Sequence, residues 1–135
     1  MGKRHSRLVG PPAVVLDSGA LIAFERNNKK LRTLVELAHK HGRTLHVPAG
    51  VVAQVWRDGR KQARLARLLG SNVLVVRTLD RTEAQAVGVI CGQSRHDDVV
   101  DASVVLLARR LDARIVTSDP DDLRRLDPNV ELVRC

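Results

Sequence analysis

Four short apolar runs recur along this chain, and each is followed by a stretch with helical spacing. The runs cover residues 13–16, 45–47, 73–76 and 115–117. These runs contain only His46 and Thr117 as polar residues, and such mainly apolar runs are typical of strands that are buried on both faces. Strands that alternate with helices predict βαβ units, a mostly parallel sheet and helices on both of its faces. We therefore predict an α/β fold, a three-layer α/β/α sandwich, with residues 130–133 as a candidate edge strand.

The length of the chain fits one domain, because 135 residues can bury one core but not two. Residues 1–12 are basic and end in two prolines, so we expect an N-terminal tail followed by a single domain over residues 13–135. The start of the chain lacks the apolar run of a signal peptide, and no stretch has the length of a transmembrane helix. The expected protein is soluble and cytoplasmic, without a membrane partner.

The formal net charge of +8 is the main compositional clue to a partner. A basic excess attracts polyanions, of which nucleic acid is the usual one, although a basic surface also serves solubility. The only aromatic residues are Phe24 and Trp56, which argues against recognition of RNA by base stacking. Cys91 and Cys135 have no metal-ligand spacing and fit reduced thiols.

Some local patterns predict details of the helices. Ala49, Val52, Ala53 and Trp56 have the spacing of an apolar helix face. Thr82 and Gln85 resemble a capping box that opens a later helix. His96 precedes a run of acidic residues, and we expect it to lie in a loop.

Aspartates stand where two of the predicted strands end. Asp17 follows the first strand, and Asp119 follows the fourth. In sheets of this kind, ligands bind outside the carboxyl ends of the strands. Asp98 and Asp101 are three residues apart at the start of a predicted helix and therefore share a face. The pattern predicts that several carboxylates meet at one edge of the sheet.

The acidic residues are also concentrated in one part of the basic chain. Residues 97–122 contain seven acidic and three basic side chains. Clustered carboxylates repel one another, and Mg²⁺ or Mn²⁺ relieves this repulsion and can activate a water molecule. Acids at helix N-termini also act as caps, and this alternative stays open for Asp97, Asp98, Asp121 and Asp122. For Asp17 and Asp119, at the ends of two separate strands, the functional interpretation is favoured.

Three segments resemble motifs of the PIN-domain nucleases. The run VVLDSGALIA at residues 14–23 resembles their opening motif, DVVDA at residues 98–102 their central helix motif, and VTSD at residues 116–119 their T-x-D strand end. The order and the spacing also match. The similarity extends from about residue 13 to the C-terminus, and the size is most similar to that of VapC-type toxins of bacterial toxin–antitoxin pairs.

This resemblance implies a Mg²⁺- or Mn²⁺-dependent endoribonuclease that acts on structured RNA such as tRNA or rRNA. It also implies a homodimer and inhibition by a cognate antitoxin. By motif, Asp17, Asp101 and Asp119 would be the catalytic, metal-binding acids, and Asp98 an outer member of the metal site. Thr117 or Ser118 could hydrogen-bond to a ligand or to water.

Gln54 departs from the pattern of the family. PIN nucleases usually have a Glu on the helix after the second strand, and Gln54 lies on that helix. Glutamine keeps an oxygen donor but lacks the negative charge, so weaker metal binding would follow unless another acid compensates. Glu25 is one candidate for this role. Gln54 is equally a polar residue at the edge of an apolar face.

Five basic residues form a second candidate feature. Arg60, Arg64 and Arg67 have helical spacing, with Arg57 and Lys61 beside them. On a helix they would form a stripe that binds the RNA backbone, or simply a solvated face.

Two other functional classes lack their characteristic residues in this sequence. A receiver-like signalling domain needs an aspartate after the third strand, and residues 73–78 contain none. A dinucleotide-binding domain needs a glycine-rich loop after the first strand, where only Gly19 is present. The remaining rival is a PIN-like module that binds RNA or a protein without cutting, which Gln54 motivates.

Overall fold

The central sheet has five strands, and all of them are parallel. A computed structural model describes residues 13–135 of the chain. The strands are β1 (Val14–Leu16), β2 (Leu45–Pro48), β3 (Leu74–Arg77), β4 (Arg114–Thr117) and β5 (Leu132–Arg134), in the spatial order β3-β2-β1-β4-β5. The predicted sheet is confirmed, and the candidate edge strand is present as β5. The predicted tail, residues 1–12, lies outside the described residues.

Seven helices surround the sheet in the described part of the chain. They are α1 (Ser18–Glu25), α2 (Lys29–Lys40), α3 (Ala49–Val55), α4 (Ala63–Leu69), α5 (Arg81–Ser94), α6 (Val99–Leu111) and α7 (Pro120–Leu126). Helix α1 contacts α2 and α4, and helix α5 contacts α6 and α7. Because crossovers between parallel strands are right-handed, the first group lies on one face of the sheet and the second group on the other. The predicted three-layer sandwich is confirmed. None of these helices combines the length and the apolar composition that a membrane span requires.

Helix α6 is the most deeply packed helix and contacts three strands, β1, β2 and β4. Six of its residues are buried, so its path is determined by the aliphatic core. Asp101 lies in the first turn of this helix, and its backbone is therefore held by packing rather than by a loop. The largest fully buried aliphatic side chains of the core are Val15, Leu16, Leu21, Leu31, Val47, Val51, Leu65, Val104, Val105, Ile115 and Leu123.

The strand order reverses between β1 and β4. From β1 the chain passes outward through β2 to β3, returns to form β4 on the other side of β1, and continues to β5. Parallel sheets bind ligands at such a switch point, outside the carboxyl ends of the two strands. Asp17 follows β1 directly, and Asp119 lies two residues beyond the end of β4. Both aspartates therefore border the crevice of this fold.

Two local predictions are wrong. The predicted apolar face of α3 is displaced, because Val51 and Val55 are its buried residues and Ala53 is exposed. Thr82 and Gln85 do not cap α5. Asp80 is the N-cap of α5 and accepts the Glu83 N–H at 2.9 Å.

Candidate active site

Asp17 is a buried carboxylate at the junction of β1 and α1, with 7% of its surface exposed. It caps α1 by accepting the Ala20 N–H at 2.9 Å, and it accepts a second hydrogen bond from the Thr117 hydroxyl. Burial raises the pKa of this carboxyl, the two hydrogen bonds oppose the rise, and the nearby charge of Asp119 adds to it. The side chain is thus held in one place, in surroundings that disfavour its charge.

Thr117 joins the ends of the two central strands. The residue is completely buried, and its Oγ1 accepts the Asp119 N–H at 2.9 Å while its hydroxyl hydrogen is donated to Asp17. Asp119 itself is exposed and opens α7 without a capping hydrogen bond from its side chain. Its carboxylate is therefore not used in capping, although it lies at a helix N-terminus.

Gly19 allows the turn after β1 to lie against the end of β4. A Cβ atom on Gly19 would lie 2.0 Å from Oγ and 3.0 Å from Cβ of Ser118. Both distances are shorter than ordinary van der Waals contact, so the close approach depends on the missing side chain. The exposed Ser118 hydroxyl is placed in this way beside the turn that carries Asp17.

A second acidic group surrounds the N-terminus of α6. Asp98 is the N-cap, and its Oδ1 accepts the N–H groups of Val100 and Asp101 at 3.0 Å each. The pKa of Asp101 is raised to about 6, first by burial and then by the charge of Asp98, with a smaller contribution from Asp122. The His96 side chain acts in the opposite direction.

His96 is a member of this group that the sequence analysis missed. It lies in the connection between α5 and α6, and its Nε2 is 3.6 Å from Oδ2 of Asp101. The sequence places His96 near the acidic run but contains no periodicity that would direct its side chain toward Asp101.

The first turn of α7 links the two acidic groups. Asp119, the N-cap of α7, acts on Asp17, and Asp122, three residues later, acts on Asp101. The two groups therefore border the same crevice. Nevertheless, no three His, Cys, Asp or Glu side chains within residues 13–135 are already gathered as a metal-ligand group.

Comparison with known proteins identifies the family of this chain. The family model of the PIN domain matches residues 14–128. This chain belongs to the PIN-domain family. PIN domains are generally nucleases that use divalent metals. No curated protein sequence matches the chain significantly.

Solved structures agree with the fold of this PIN domain. VapBC2 from Rickettsia felis, bound to a DNA fragment from the promoter, is similar with a TM-score of 0.70 and 16% identity over 91% of this chain and 98% of that one. FitAB bound to the IR36 DNA fragment is similar with a TM-score of 0.60 and 13% identity over 90% and 94% of the two chains. At these identities the likeness supports the fold alone.

Gln54 contacts the segment that carries Asp17. The Ser18 hydroxyl donates a hydrogen bond to Oε1 of Gln54, which ties α3 to the first residue of α1. Glu25 lies at the other end of α1, about 10 Å of helix from Ser18. Its Oε1 accepts a hydrogen bond of 2.8 Å from Gln62. The structure therefore gives Glu25 a bracing role and does not support it as a replacement for the missing acid.

The basic residues of the PIN domain do not form the predicted helical stripe. Arg57, Arg60 and Lys61 lie in the connection between α3 and α4, and only Arg64 and Arg67 are on α4. Gln62 causes the break, because its Oε1 accepts the N–H groups of residues 57 and 58 and its Nε2 donates to the carbonyl of residue 55. These hydrogen bonds hold the connection in a non-helical path.

Several of these cations already have partners. Arg57 donates to the carbonyl oxygens of residues 53 and 56, Arg60 pairs with Asp58 at 3.3 Å, and Arg64 donates to the Glu25 carbonyl at 3.0 Å. Arg64 and Arg67 also line a groove of about 370 Å³ between α2 and α4. Lys61 and Arg67 are exposed.

Proposed function

We propose that this PIN domain is a Mg²⁺- or Mn²⁺-dependent endoribonuclease that acts on structured RNA such as tRNA or rRNA. The observation that carries the proposal is the position of Asp17 and Asp119 beyond the ends of β1 and β4, where the charge of Asp119 contributes to the raised pKa of Asp17. The strand order reverses between these two strands, and parallel sheets bind ligands at such a switch point, which supports the proposal.

The chemistry of the crevice fits a divalent cation. Burial and neighbouring charge raise the pKa of both Asp17 and Asp101, and a cation that binds there offsets both effects. Asp17, Asp101 and Asp119 would be its oxygen ligands, and Asp98, the exposed N-cap of α6, would be an outer member of the site. When bound, the ion would supply an activated water molecule and neutralise charge on the scissile phosphate.

The chain's own residues would orient this site. Thr117 holds the Asp17 carboxyl and the Asp119 backbone in a fixed relation. Ser118 presents an exposed hydroxyl that can donate to a phosphate oxygen or a water molecule. Among the predicted RNA-binding residues, the exposed Lys61 and Arg67 are the best candidates for phosphate contacts, since Arg57 and Arg64 already donate to carbonyl oxygens.

We extend the proposal to a toxin that is inhibited by a cognate antitoxin. VapBC2 and FitAB are two of the similar solved structures, and each is described in complex with DNA. The VapC resemblance also implies a homodimer. Val89 and Val99, each 58% exposed on adjacent helices, offer apolar surface for such an interface. Light scattering of the purified protein tests the homodimer, and co-purification with the product of a neighbouring reading frame tests the antitoxin.

Cleavage of RNA by the purified full chain tests the enzyme. We expect cleavage of a tRNA mixture with Mn²⁺ or Mg²⁺, none with EDTA, and a loss of at least about a hundredfold in Asp17→Asn and Asp101→Asn. Asp80→Asn is the matched control, because Asp80 is an exposed N-cap on α5 and asparagine caps a helix equally well. Cleavage that persists in EDTA, or in both variants, would exclude this site.

A module that binds RNA or a protein without cutting is the second candidate. Gln54 supports it, because an uncharged amide contacts Ser18 where the family usually has a carboxylate. A wild-type protein that binds tRNA without cleaving it, together with cleavage by Gln54→Glu, would establish this alternative. Cleavage by the wild type excludes it.

A further inference from the structure

The imidazole of His96 has a buried nitrogen without a hydrogen-bond partner in the described part of the chain. This atom, Nε2, lies 3.6 Å from Oδ2 of Asp101. The separation exceeds the roughly 2.7–3.2 Å of a protein N–H···O hydrogen bond. Buried polar atoms are nearly always satisfied, so an orphaned one beside a carboxylate calls for a partner that both atoms can share.

A metal ion is such a partner. Two ligand atoms that are each about 2.1 Å from one ion, at angles of 90° to 120°, are about 3.0 to 3.6 Å apart. The observed separation of 3.6 Å lies at the upper end of this range. Neutral imidazole nitrogen and carboxylate oxygen are both common metal ligands.

The backbone directs His96 toward the acidic group. Helix α5 ends at Ser94, and its C-cap Arg95 adopts a left-handed conformation with φ of 53°. This residue reverses the chain, and the His96 N–H then donates to the Cys91 carbonyl at 3.2 Å. As a result, the ring is held between the end of α5 and the start of α6 instead of pointing into solvent.

The charges around the ring favour a cation. Asp98 and Asp122 both act on Asp101, and their combined negative charge attracts a positive ion to the place that Nε2 faces. A protonated His96 paired with Asp101 is the structural alternative, and it predicts no preference between metal ions.

We propose that His96 is a nitrogen ligand of the metal site and makes this site selective for a transition ion such as Mn²⁺ over Mg²⁺. The inference rests on the proposed function, since it concerns the same ion. Mg²⁺ binds oxygen ligands almost exclusively, whereas imidazole raises the affinity for transition ions. Loss of the nitrogen should therefore weaken Mn²⁺ binding and leave Mg²⁺ binding nearly unchanged.

Calorimetric titration of the EDTA-treated, dialysed full chain with MnCl₂ and with MgCl₂ tests the proposal. The wild type should bind Mn²⁺ more tightly than Mg²⁺. His96→Asn should weaken Mn²⁺ binding by about tenfold or more and Mg²⁺ binding by less than about threefold. His41→Asn is the matched control, because His41 is exposed at the end of α2. Its Mn²⁺ affinity should equal that of the wild type.

The absorption spectrum of bound Co²⁺ provides a second measurement, of which the wild-type part does not depend on the folding of a variant. Bound Co²⁺ should show a visible absorption spectrum typical of mixed nitrogen and oxygen ligation, and His96→Asn should shift it toward that of an all-oxygen site. Equal wild-type affinity for Mn²⁺ and Mg²⁺, equal losses for both ions in His96→Asn, or an unchanged Co²⁺ spectrum would each overturn the proposal.

Failure of this inference is distinguishable from failure of the proposed function. If Asp101→Asn loses both ions while His96→Asn behaves as the wild type, only the role of His96 is wrong. If the wild type binds neither ion, or Asp101→Asn binds both normally, the metal site itself is wrong, and His96 fails with it.

Discussion

Thr117, completely buried at the end of β4, donates its hydroxyl to the carboxyl of Asp17 at the end of the neighbouring strand β1. The same oxygen accepts the Asp119 N–H at 2.9 Å. One small side chain thus satisfies a buried carboxyl and a backbone donor at the same time. The relation explains how two strands that are far apart in sequence present their aspartates as a unit.

Replacement of Thr117 by valine should destabilise the protein and disturb the Asp17 carboxyl. Valine has nearly the same shape but removes both hydrogen bonds, which should cost about 1–3 kcal/mol in the free energy of unfolding. The pKa of Asp17 should rise further, since the hydrogen bond from Thr117 lowers it. Urea unfolding and titration followed by NMR measure the two effects. Thr117→Ser keeps the hydroxyl and loses a buried methyl group, so it should cost only about 1 kcal/mol and leave the pKa of Asp17 near its wild-type value. An equal rise of that pKa in both variants would contradict the role assigned to the hydroxyl.

Gly19→Ala should be destabilising because its Cβ would lie 2.0 Å from Oγ and 3.0 Å from Cβ of Ser118. We expect a loss of about 1–3 kcal/mol in stability, although alanine is the better helix former. The double variant Gly19→Ala, Ser118→Gly removes both contacts and should recover most of the loss. Urea unfolding of the two single variants and the double variant measures this coupling, and strictly additive effects would show that the close approach is not the cause.

Much of the fold is predictable from the sequence because the central strands β1, β2 and β4 are buried on both faces. Such strands appear as mainly apolar runs, and the runs at residues 13–16, 45–47, 73–76 and 115–117 each overlap an observed strand. The positions of Asp17 and Asp119 follow from the strand ends, since side chains after parallel strands meet at one edge of the sheet. The charge of Asp119 raises the pKa of Asp17 because both side chains lie at this edge.

Two of the wrong local predictions depend on hydrogen bonds between side chains and the backbone. The helical spacing of Arg60, Arg64 and Arg67 is present in the sequence, but the hydrogen bonds of Gln62 hold the preceding segment outside the helix. A side chain that competes with backbone hydrogen bonding is invisible to periodicity. The N-cap of α5 is similar, because both Asp80 with Glu83 and Thr82 with Gln85 fit the capping pattern.

The contacts of His96 and Gln54 could not be predicted for a different reason. Each depends on where a helix end lies relative to another helix: the end of α5 against α6 for His96, and α3 against α1 for Gln54. Such distances are set by packing of the whole core and leave no local pattern in the sequence.

The stability of the metal-free protein should fall as the pH rises from about 4 to about 6. The pKa of Asp101 is about 6 in the folded chain against the ordinary 3.8 of an aspartate carboxyl, owing first to burial, then to Asp98, and in part to Asp122, with His96 opposing. In this window the folded state binds more protons than the unfolded state, so stability decreases with pH and stays lower above the window.

Asp101→Asn should remove this pH dependence. In EDTA at pH 7 the variant should be more stable than the wild type by about 1–3 kcal/mol, and the difference should vanish below about pH 4. Urea unfolding between pH 4 and 8 measures both effects, with Asp80→Asn as the control for a change of net charge. A variant that is less stable than the wild type at pH 7 would show that the Asp101 carboxylate is not strained in the folded protein.

Gln54→Glu should strengthen metal binding and, without metal, weaken the fold. Glutamate keeps the acceptor oxygen for the Ser18 hydroxyl and adds a negative charge at the turn that carries Asp17. The added charge should tighten Mn²⁺ binding on the order of tenfold, or about 1.4 kcal/mol. In EDTA the same charge adds to the repulsion among the carboxylates, so the melting temperature should fall, and Mn²⁺ should restore it.

Gln54→Ala separates charge from hydrogen bonding. It removes the hydrogen bond from Ser18 without adding a charge, so Mn²⁺ binding should change by less than about threefold while RNA cleavage falls through the looser turn. Calorimetry and cleavage assays on both variants compare the two effects. If alanine and glutamate change the Mn²⁺ affinity alike, the contact matters only as packing. If glutamate alone tightens it, the uncharged side chain at position 54 is what limits the affinity of this site for its ion.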